Sequence, residues 1–396
     1  MSLVTRIAGR GEGVTEDGRF VALAAPGDII DAAGAIMPGP HHVVPPCRHF
    51  PKCGGCQLQH VDDAAYAGFI VDRIAGALAA QGLDRPEIAA PVLSPPRTRR
   101  RASLRAEKIG KRLVLGFNEG ASHRIVDLRE CHVLHPALFA LVDPLRGLLD
   151  RLVPARRAAA VQMTLIDGGI DLLLEKVEVE GLGPTEALTE FAERHDLARL
   201  SIDDGYGPQP RWEPGAATIT LGGAPVPFPV AGFLQATAEG EAALVDAVRA
   251  TIGEAQTVAD LFAGLGTFAL SVPGRVLAVE GARDAALALR SAAGRAQRPL
   301  LVEHRDLFRR PLTAVELSRF DAIILDPPRA GAREQAAELA SAECAAIAYV
   351  SCNPATFARD AKDLVAGGWR LDRIVPVGQF RWSTHIELAA AFSRPG

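Results

Sequence analysis

Cys352 stands directly after the apolar run Ala346-Ile347-Ala348-Tyr349-Val350, in Ser351-Cys352-Asn353-Pro354. A thiol past the end of a strand, on a turn stiffened by proline, is placed for nucleophilic chemistry, because packing cysteines usually sit inside strands. A second strand-like run, Phe320 to Leu325, ends in Asp326-Pro327-Pro328-Arg329. Two prolines make a rigid, donor-poor corner that holds an acid and a guanidinium at the strand's carboxyl end, the edge where doubly wound sheets bind substrates. Upstream, the buried run Thr257 to Phe262 turns through Ala263-Gly264-Leu265-Gly266-Thr267 toward a helix expected from near Phe268. Glycines there let backbone approach a ligand where a Cβ would block it. The next strand, Val276 to Glu280, ends in an acid that can accept hydrogen bonds from ribose hydroxyls, so strand, glycine turn, helix, strand and acid form a nucleoside-binding arrangement. Asp306, after Leu300 to Arg305, is placed to face an adenine amino group. Gly264-x-Gly266-x-x-Ala269 also satisfies the dinucleotide fingerprint, but it opens the last third of the chain, where there is room for one mononucleotide domain.

A second constellation lies near the start. Cys47-x5-Cys53-x2-Cys56 needs a fourth ligand, and Cys131 is the other cysteine outside the C-terminal third. Four thiolates suit an iron–sulfur cluster or a zinc ion, and the five-residue gap, longer than zinc spacings usually are, favours the cluster. The first residues, Met1 to Arg6, lead into glycine and charge without an apolar targeting segment, so a disulfide framework is not expected and a cytoplasmic, soluble chain is.

From about Ala236 onward, strand-like and helical runs alternate, the pattern of a parallel, doubly wound sheet. Residues 91 to 230 mix strands such as Arg112 to Phe117 and Ile170 to Leu174 with a helix around Thr185 to His195, as an α+β domain does. Tyr66, Phe69, Ile70, Ile74 and Leu78 recur at helical spacing between Asp62 and Leu83, with Asp62 or Asp63 as cap. Residues 3 to 35 alternate short apolar runs with glycine turns and read as a small β-unit into which five strands hardly fit. A net charge of -4 argues against binding nucleic acid by bulk electrostatics, yet Arg97, Arg99, Arg100, Arg101, Arg105, Lys108, Lys111 and Arg112 are opposed only by Glu107 between positions 97 and 112. That excess is equally a phosphate track or a solvated face.

Leu325-Asp326-Pro327-Pro328-Arg329-Ala330-Gly331-Ala332 and Tyr349 through Asp360 resemble the two signature motifs of the RNA uracil-5-methyltransferase family. Phe233-Leu234-Gln235 and Asp260 through Leu270 are similar to its cofactor motifs. The resemblance implies a class I methyltransferase fold, Rossmann-like and doubly wound with a mostly parallel seven-stranded sheet, after an α+β central domain and a short OB-like β-unit. It implies S-adenosylmethionine as methyl donor, contacted by Gln235, Asp260, Phe262, Gly264, Gly266, Glu280, Asp306 and Asp326. It implies Cys352 as nucleophile at C6 of uracil, Glu387 of Thr384-His385-Ile386-Glu387 as the base that removes the C5 proton, and Asp326 as the acid that orients uracil or assists proton transfer. The family's 4Fe–4S site has the spacing of Cys47, Cys53, Cys56 and Cys131. A stacked uridine would have to be extruded to react. Where the family usually has Phe-Pro-His-Thr, this chain has Phe380-Arg381-Trp382-Ser383-Thr384, which alters the wall around the uracil.

The expected division is 1–42 for the OB-like unit, 43–90 for the cysteine segment and helix, 91–232 for a central RNA-binding domain and 233–396 for methyl transfer. The expected partner is RNA, ribosomal in preference to transfer RNA, for a monomer that does not engage membranes. Two other classes compete. DNA cytosine-5-methyltransferases place Pro-Cys after the fourth strand, where this chain has Asp326-Pro327-Pro328. A non-catalytic iron–sulfur RNA-binding protein would explain the front half alone.

Overall fold

The computed structural model describes residues 1–394. The first 37 residues form five strands, β1 (Ser2–Ile7), β2 (Gly13–Thr15), β3 (Phe20–Val21), β4 (Ile29–Ile30) and β5 (Ile36–Met37), in a sheet of order β3-β2-β1-β4-β5. Five strands therefore do fit, because four of them are only two or three residues long and tight glycine turns join them. Their core is small: Val4, Ala24 and Ile30.

Helix α1 (Asp63–Ala80) is capped by the Asp62 carboxylate, which accepts from Ala65 N at 2.8 Å. It buries Tyr66, Phe69, Ile70, Ile74 and Leu78, the stripe expected from their spacing. This stripe packs into the same apolar cluster as Ile323, Ile347, Tyr349 and Phe357 of the C-terminal unit. Two short strands follow, β6 (Glu87–Ile88) and β7 (Val92–Leu93).

The middle of the chain is built on a six-stranded sheet of order β13-β12-β11-β10-β8-β9. Its elements are β8 (Arg101–Ile109), β9 (Arg112–Gly116), α2 (Pro136–Ala140), α3 (Val142–Leu152), β10 (Ala158–Ile166), β11 (Gly169–Glu175), α4 (Leu182–Arg194), β12 (Leu197–Asp203) and β13 (Gln209–Trp212). Along β8, Ala102, Leu104 and Ala106 point into the core while Arg101, Ser103 and Arg105 face outward. The strand thus sorts the basic run by its period of two. Arg100 turns the other way, donating to Gln235 O at 3.0 Å and pairing with Glu241, and Arg112 pairs with Asp127. A hairpin of β14 (Thr218–Leu221) and β15 (Ala224–Pro227) leads to α5 (Ala238–Ile252).

The C-terminal unit comprises β16 (Thr257–Leu261), β17 (Arg275–Glu280), α6 (Arg283–Arg295), β18 (Leu300–His304), α7 (Ala314–Leu317), β19 (Ala322–Leu325), α8 (Arg333–Ala340), β20 (Ala346–Ser351), α9 (Pro354–Ala366), β21 (Arg370–Gly378) and β22 (Glu387–Ser393). Its seven strands run β18-β17-β16-β19-β20-β22-β21, parallel except β22, and β6 and β7 extend the sheet by pairing with β21. The helix expected from near Phe268 is absent. Separate turns, Leu270 N to Gly266 O and Val272 N to Phe268 O, take its place, since positive-φ Gly266 and Pro273 leave no length for a helix. No helix of the described residues is long and apolar enough to cross a membrane.

Candidate active site

The register of the sheet assembles the catalytic candidates. Ser351 of β20 pairs with Leu388 of β22, so one step further along the ladder sets Cys352 across from Glu387. On its other side β20 pairs in parallel with β19, Leu325 beside Tyr349, which brings Asp326 to the same edge. Three residues 26 and 35 positions apart along the chain thus meet at one end of three adjacent strands. Cys352 also precedes α9, whose first turn is fixed by Asn353 accepting from Ala355 N at 3.1 Å and by Pro354 at the first helical position.

Cys352, Glu387, Arg329, Arg101, Phe233 and His385 line an open groove of ≈ 870 Å³, large enough for a nucleotide and its neighbours. Burial pushes the Cys352 thiol up to about 11, with the Glu387 and Asp326 carboxylates adding to the rise and Arg329 opposing it. Glu387 is buried, and that burial lifts it to about 7 against a hydrogen bond from Gln379 and the charges of Arg101 and Arg329. Part of Asp326 reaches solvent, yet its carboxyl lies deep and is held well above the usual carboxylate range by desolvation and then by Glu387, Asp260 and Glu280. At neutral pH the pocket therefore holds a protonated thiol beside Glu387, whose carboxyl exchanges its proton readily there.

The nucleoside-binding candidates surround the adjoining strand ends. Asp260 is fully buried, its Oδ2 accepts from Ala269 N at 2.8 Å, and its Oδ1 has no partner among the described residues. Desolvation raises this carboxyl to about 8, with Glu280 adding to the rise. Glu280 already braces the glycine turn, accepting from Gly264 N at 2.7 Å and Ala282 N at 2.6 Å, and each oxygen keeps a lone pair for a further donor. The backbone at Gly266 has φ +91°, which requires glycine, and a Cβ there would also press on the Leu289 side-chain tip at 2.3 Å. Phe262 adopts φ +62° and tilts against Phe308 with ring centroids 5.3 Å apart, forming an aromatic wall. Asp306 is half exposed and accepts from Phe308 N at 3.0 Å, which tethers it beneath that wall.

Gln235 is buried, and its side-chain oxygen accepts from Gln379 Nε2 at 2.7 Å. Gln379 in turn accepts from Ala236 N at 2.8 Å and lowers the Glu387 carboxyl against its burial. Gln379 thus ties the cofactor side to the catalytic side, and sequence reasoning missed it, as it missed Phe308. The available signal was a polar residue where β21 ends, directly before the divergent Phe380 segment.

Cys47, Cys53, Cys56 and Cys131 line one enclosed cavity of ≈ 20 Å³, together with Arg99, Phe50 and Phe117. Burial raises all four thiols, Cys56 to about 12. Among the described residues no three His, Cys, Asp or Glu side chains form a set able to hold one metal ion. The cavity shares Arg99, Gly55 and Phe117 with the catalytic groove. Trp382 packs against Cys56 and Val133, and its carbonyl accepts from both Gln57 N and Leu58 N.

Comparison with known proteins agrees with this geometry. Residues 231–394 match the model of the tRNA (uracil-5-)-methyltransferase family. The chain is 52% identical to an uncharacterized RNA methyltransferase of Zymomonas mobilis over the full length of both proteins. It is 33% identical to the 23S rRNA (uracil(1939)-C(5))-methyltransferase RlmD of Thiobacillus denitrificans, covering 92% of this chain and 88% of the relative. The chain belongs to the RNA uracil-5-methyltransferase family. Its fold is that of the Pyrococcus abyssi tRNA (uracil-54, C5)-methyltransferase, solved with S-adenosyl-L-homocysteine, with a TM-score of 0.77 at 22% identity over 99% of this chain and 100% of the other. The protein is thus an RNA methyltransferase of class I architecture, and Cys352, Asp326 and Glu387 converge where that sheet presents its open edge.

Proposed function

We propose that this methyltransferase transfers a methyl group to C5 of a specific uridine in 23S rRNA through a covalent bond between Cys352 and C6. The observation that carries the mechanism is the ladder step that sets Cys352 across from Glu387, with Asp326 on the neighbouring strand. The Cys352 thiol gives up its proton to the Glu387 carboxylate, which releases it to solvent through the open groove, as sulfur bonds to C6, and the C5–C6 π electrons move into the ring as an enolate. C5 then takes the methyl group that S-adenosylmethionine supplies. Glu387, tuned near neutrality, removes the remaining C5 proton, the double bond reforms and the Cys352 thiolate leaves and is reprotonated. Asp326 faces the same reaction site with a carboxyl that favours its proton, so it can donate to a uracil oxygen.

The donor's binding is assigned to Gln235, Asp260, Phe262, Gly264, Gly266, Glu280, Asp306 and Asp326. Glu280 raises the Asp260 carboxyl, and Glu387, Asp260 and Glu280 together raise that of Asp326, and the orphaned Asp260 Oδ1 adds an acceptor. A ligand carrying positive charge and hydrogen-bond donors relieves such a cluster.

Ribosomal RNA is preferred to transfer RNA because the RlmD relative aligns over nearly the whole chain. Residues 91–232 and 1–42 would present the RNA, and 233–396 would carry out transfer. The four thiols are assigned a 4Fe–4S cluster. The all-sulfur donor set and the five-residue gap between Cys47 and Cys53 suit one. Buried Arg99, in electrostatic contact with Cys56 and Cys131, would offset a negatively charged centre. Protein purified without air should carry iron and absorb broadly in the visible; stoichiometric zinc without iron would overturn this assignment. Transfer from labelled donor to total RNA, mapped to the modified uridine, tests the rest, and label confined to tRNA would replace the ribosomal assignment.

A further inference from the structure

Beside the catalytic groove lies a second open groove of ≈ 450 Å³, lined by Arg105, Asn118, His123, Ile125, Arg157, Ala158 and Lys176. It shares Asn118 and His123 with the catalytic groove, so the two are continuous. No acid lines it. Arg105, Arg157 and Lys176 come from three places, β8, the turn before β10 and the residue after β11, and none of them forms a salt bridge among the described residues. The nearby carboxylate of Glu175 is engaged by the Gln162 amide at 2.6 Å. Three cations without a salt-bridge partner among the described residues, gathered around one concavity with Glu107 and Glu175 the acids nearest along the sheet, are a binding site for an anionic chain. The outward residues Arg101, Ser103 and Arg105 join the two grooves along β8 at intervals of ~6.8 Å. They form a row of donors that begins at the reacting thiol's groove and ends at the second one.

We infer that the second groove binds the phosphate backbone of single-stranded RNA leaving the catalytic groove, with Arg105, Arg157 and Lys176 each meeting phosphate. This rests on the RNA methyltransferase reading and specifies which face carries the strand next to the target. Asn118 and His123 stand at the junction, where a base or sugar of that strand passes. Lys176 holds φ +61°, a conformation uncommon for a non-glycine residue, and it is exposed at the groove.

The test uses the full chain and a fluorescein-labelled oligouridylate of about a dozen nucleotides. Arg157→Ala with Lys176→Ala should weaken binding by tenfold or more at low salt and flatten the plot of log affinity against log salt by about 1.4, two single-strand phosphate contacts' worth. Binding of S-adenosylhomocysteine and the native melting transition should stay unchanged, and so should oligouridylate binding by Lys362→Ala on the exposed side of α9. Arg105→Lys should retain more affinity than Arg105→Ala. An unaltered salt slope in the double variant overturns the assignment, as does loss of binding to polyglutamate with none to the oligouridylate, which would make the groove protein-facing. The underlying reading fails separately: it falls if the native chain does not methylate RNA, whatever the second groove does.

Discussion

Cys352, the proposed nucleophile, and the four clustered thiols all lie at least partly out of water, which raises each of them, but their surroundings differ. Around Cys352 the burial is reinforced by carboxylates, Glu387 and Asp326, and only Arg329 pulls the other way. Around Cys47, Cys53 and Cys56 the burial is reinforced by the neighbouring thiols, with the single carboxylate of Glu130 raising Cys47 and Cys131 and Arg99 opposing at Cys131. A thiol among carboxyls can pass its proton locally and take it back, which a turnover cycle requires. Thiols that face one another can ionise together only when a cation joins them, which suits a permanent centre. The same residue type is thus directed to opposite ends by what lies within a few ångströms.

Removing the sulfur itself should separate the two pockets most sharply. Cys352→Ala should lower methyl transfer to RNA by a factor on the order of 10⁴ or more with the melting transition unchanged, measured with labelled donor. Cys47→Ala should instead lower bound iron and stability while leaving transfer measurable. Equal loss of transfer in both would break the contrast. Next in size is Glu387→Gln, which should slow turnover by about 10² to 10⁴ and accumulate a protein–RNA adduct that survives a denaturing gel. If the adduct fails to accumulate, Glu387 does not act after bond formation.

Acidity sharpens the comparison further. Because the proposed base Glu387 must be ionised to take the C5 proton and is lifted to about 7, turnover at saturation should climb about tenfold between pH 6 and pH 8. A rate already flat across that range would show that another step limits turnover. The smallest effect concerns stability. Asp260 has a folded pKa of about 8, above its unfolded value near 3.9. The native state then holds the proton longer, so stability is present below pH 4 and is lost as pH rises through about 8. Asp260→Asn keeps an acceptor for Ala269 N and should remove that loss, raising the urea midpoint at pH 9 relative to wild type while changing little at pH 4. An identical pH dependence in the variant would show that Asp260 ionises freely.

The residues of the active site were readable because each stands at a strand end within a long motif. Their common sheet edge was readable too, but their register was not: it depends on β22 inserting antiparallel between β20 and β21, which no local spacing announces. Gln379 escaped notice because its role is to join two distant residues. The basic run between Arg97 and Arg112 was visible as charge, but only strand alternation divides it into groove-facing arginines and the structural Arg100. The five N-terminal strands were undercounted because strands of two residues carry no periodicity. The helix at Phe268 was overcounted because a glycine turn followed by apolar residues imitates one. The four cysteines were legible as a set, and the cavity that gathers them joins 47–56 to 131 through tertiary packing.

Helix α1 has a consequence for how this protein can be divided. The match to the family begins at residue 231, yet the apolar stripe of α1 fills one side of the very sheet that performs the chemistry. Tyr66 also donates to the carbonyls of Phe380 and Ser383, both 3.1 Å away, in the segment leading to Glu387. A fragment containing only the matched residues would leave that side of the sheet bare and that segment untied. The sheet that carries Cys352 and Glu387 is therefore supported by residues from both ends of the chain.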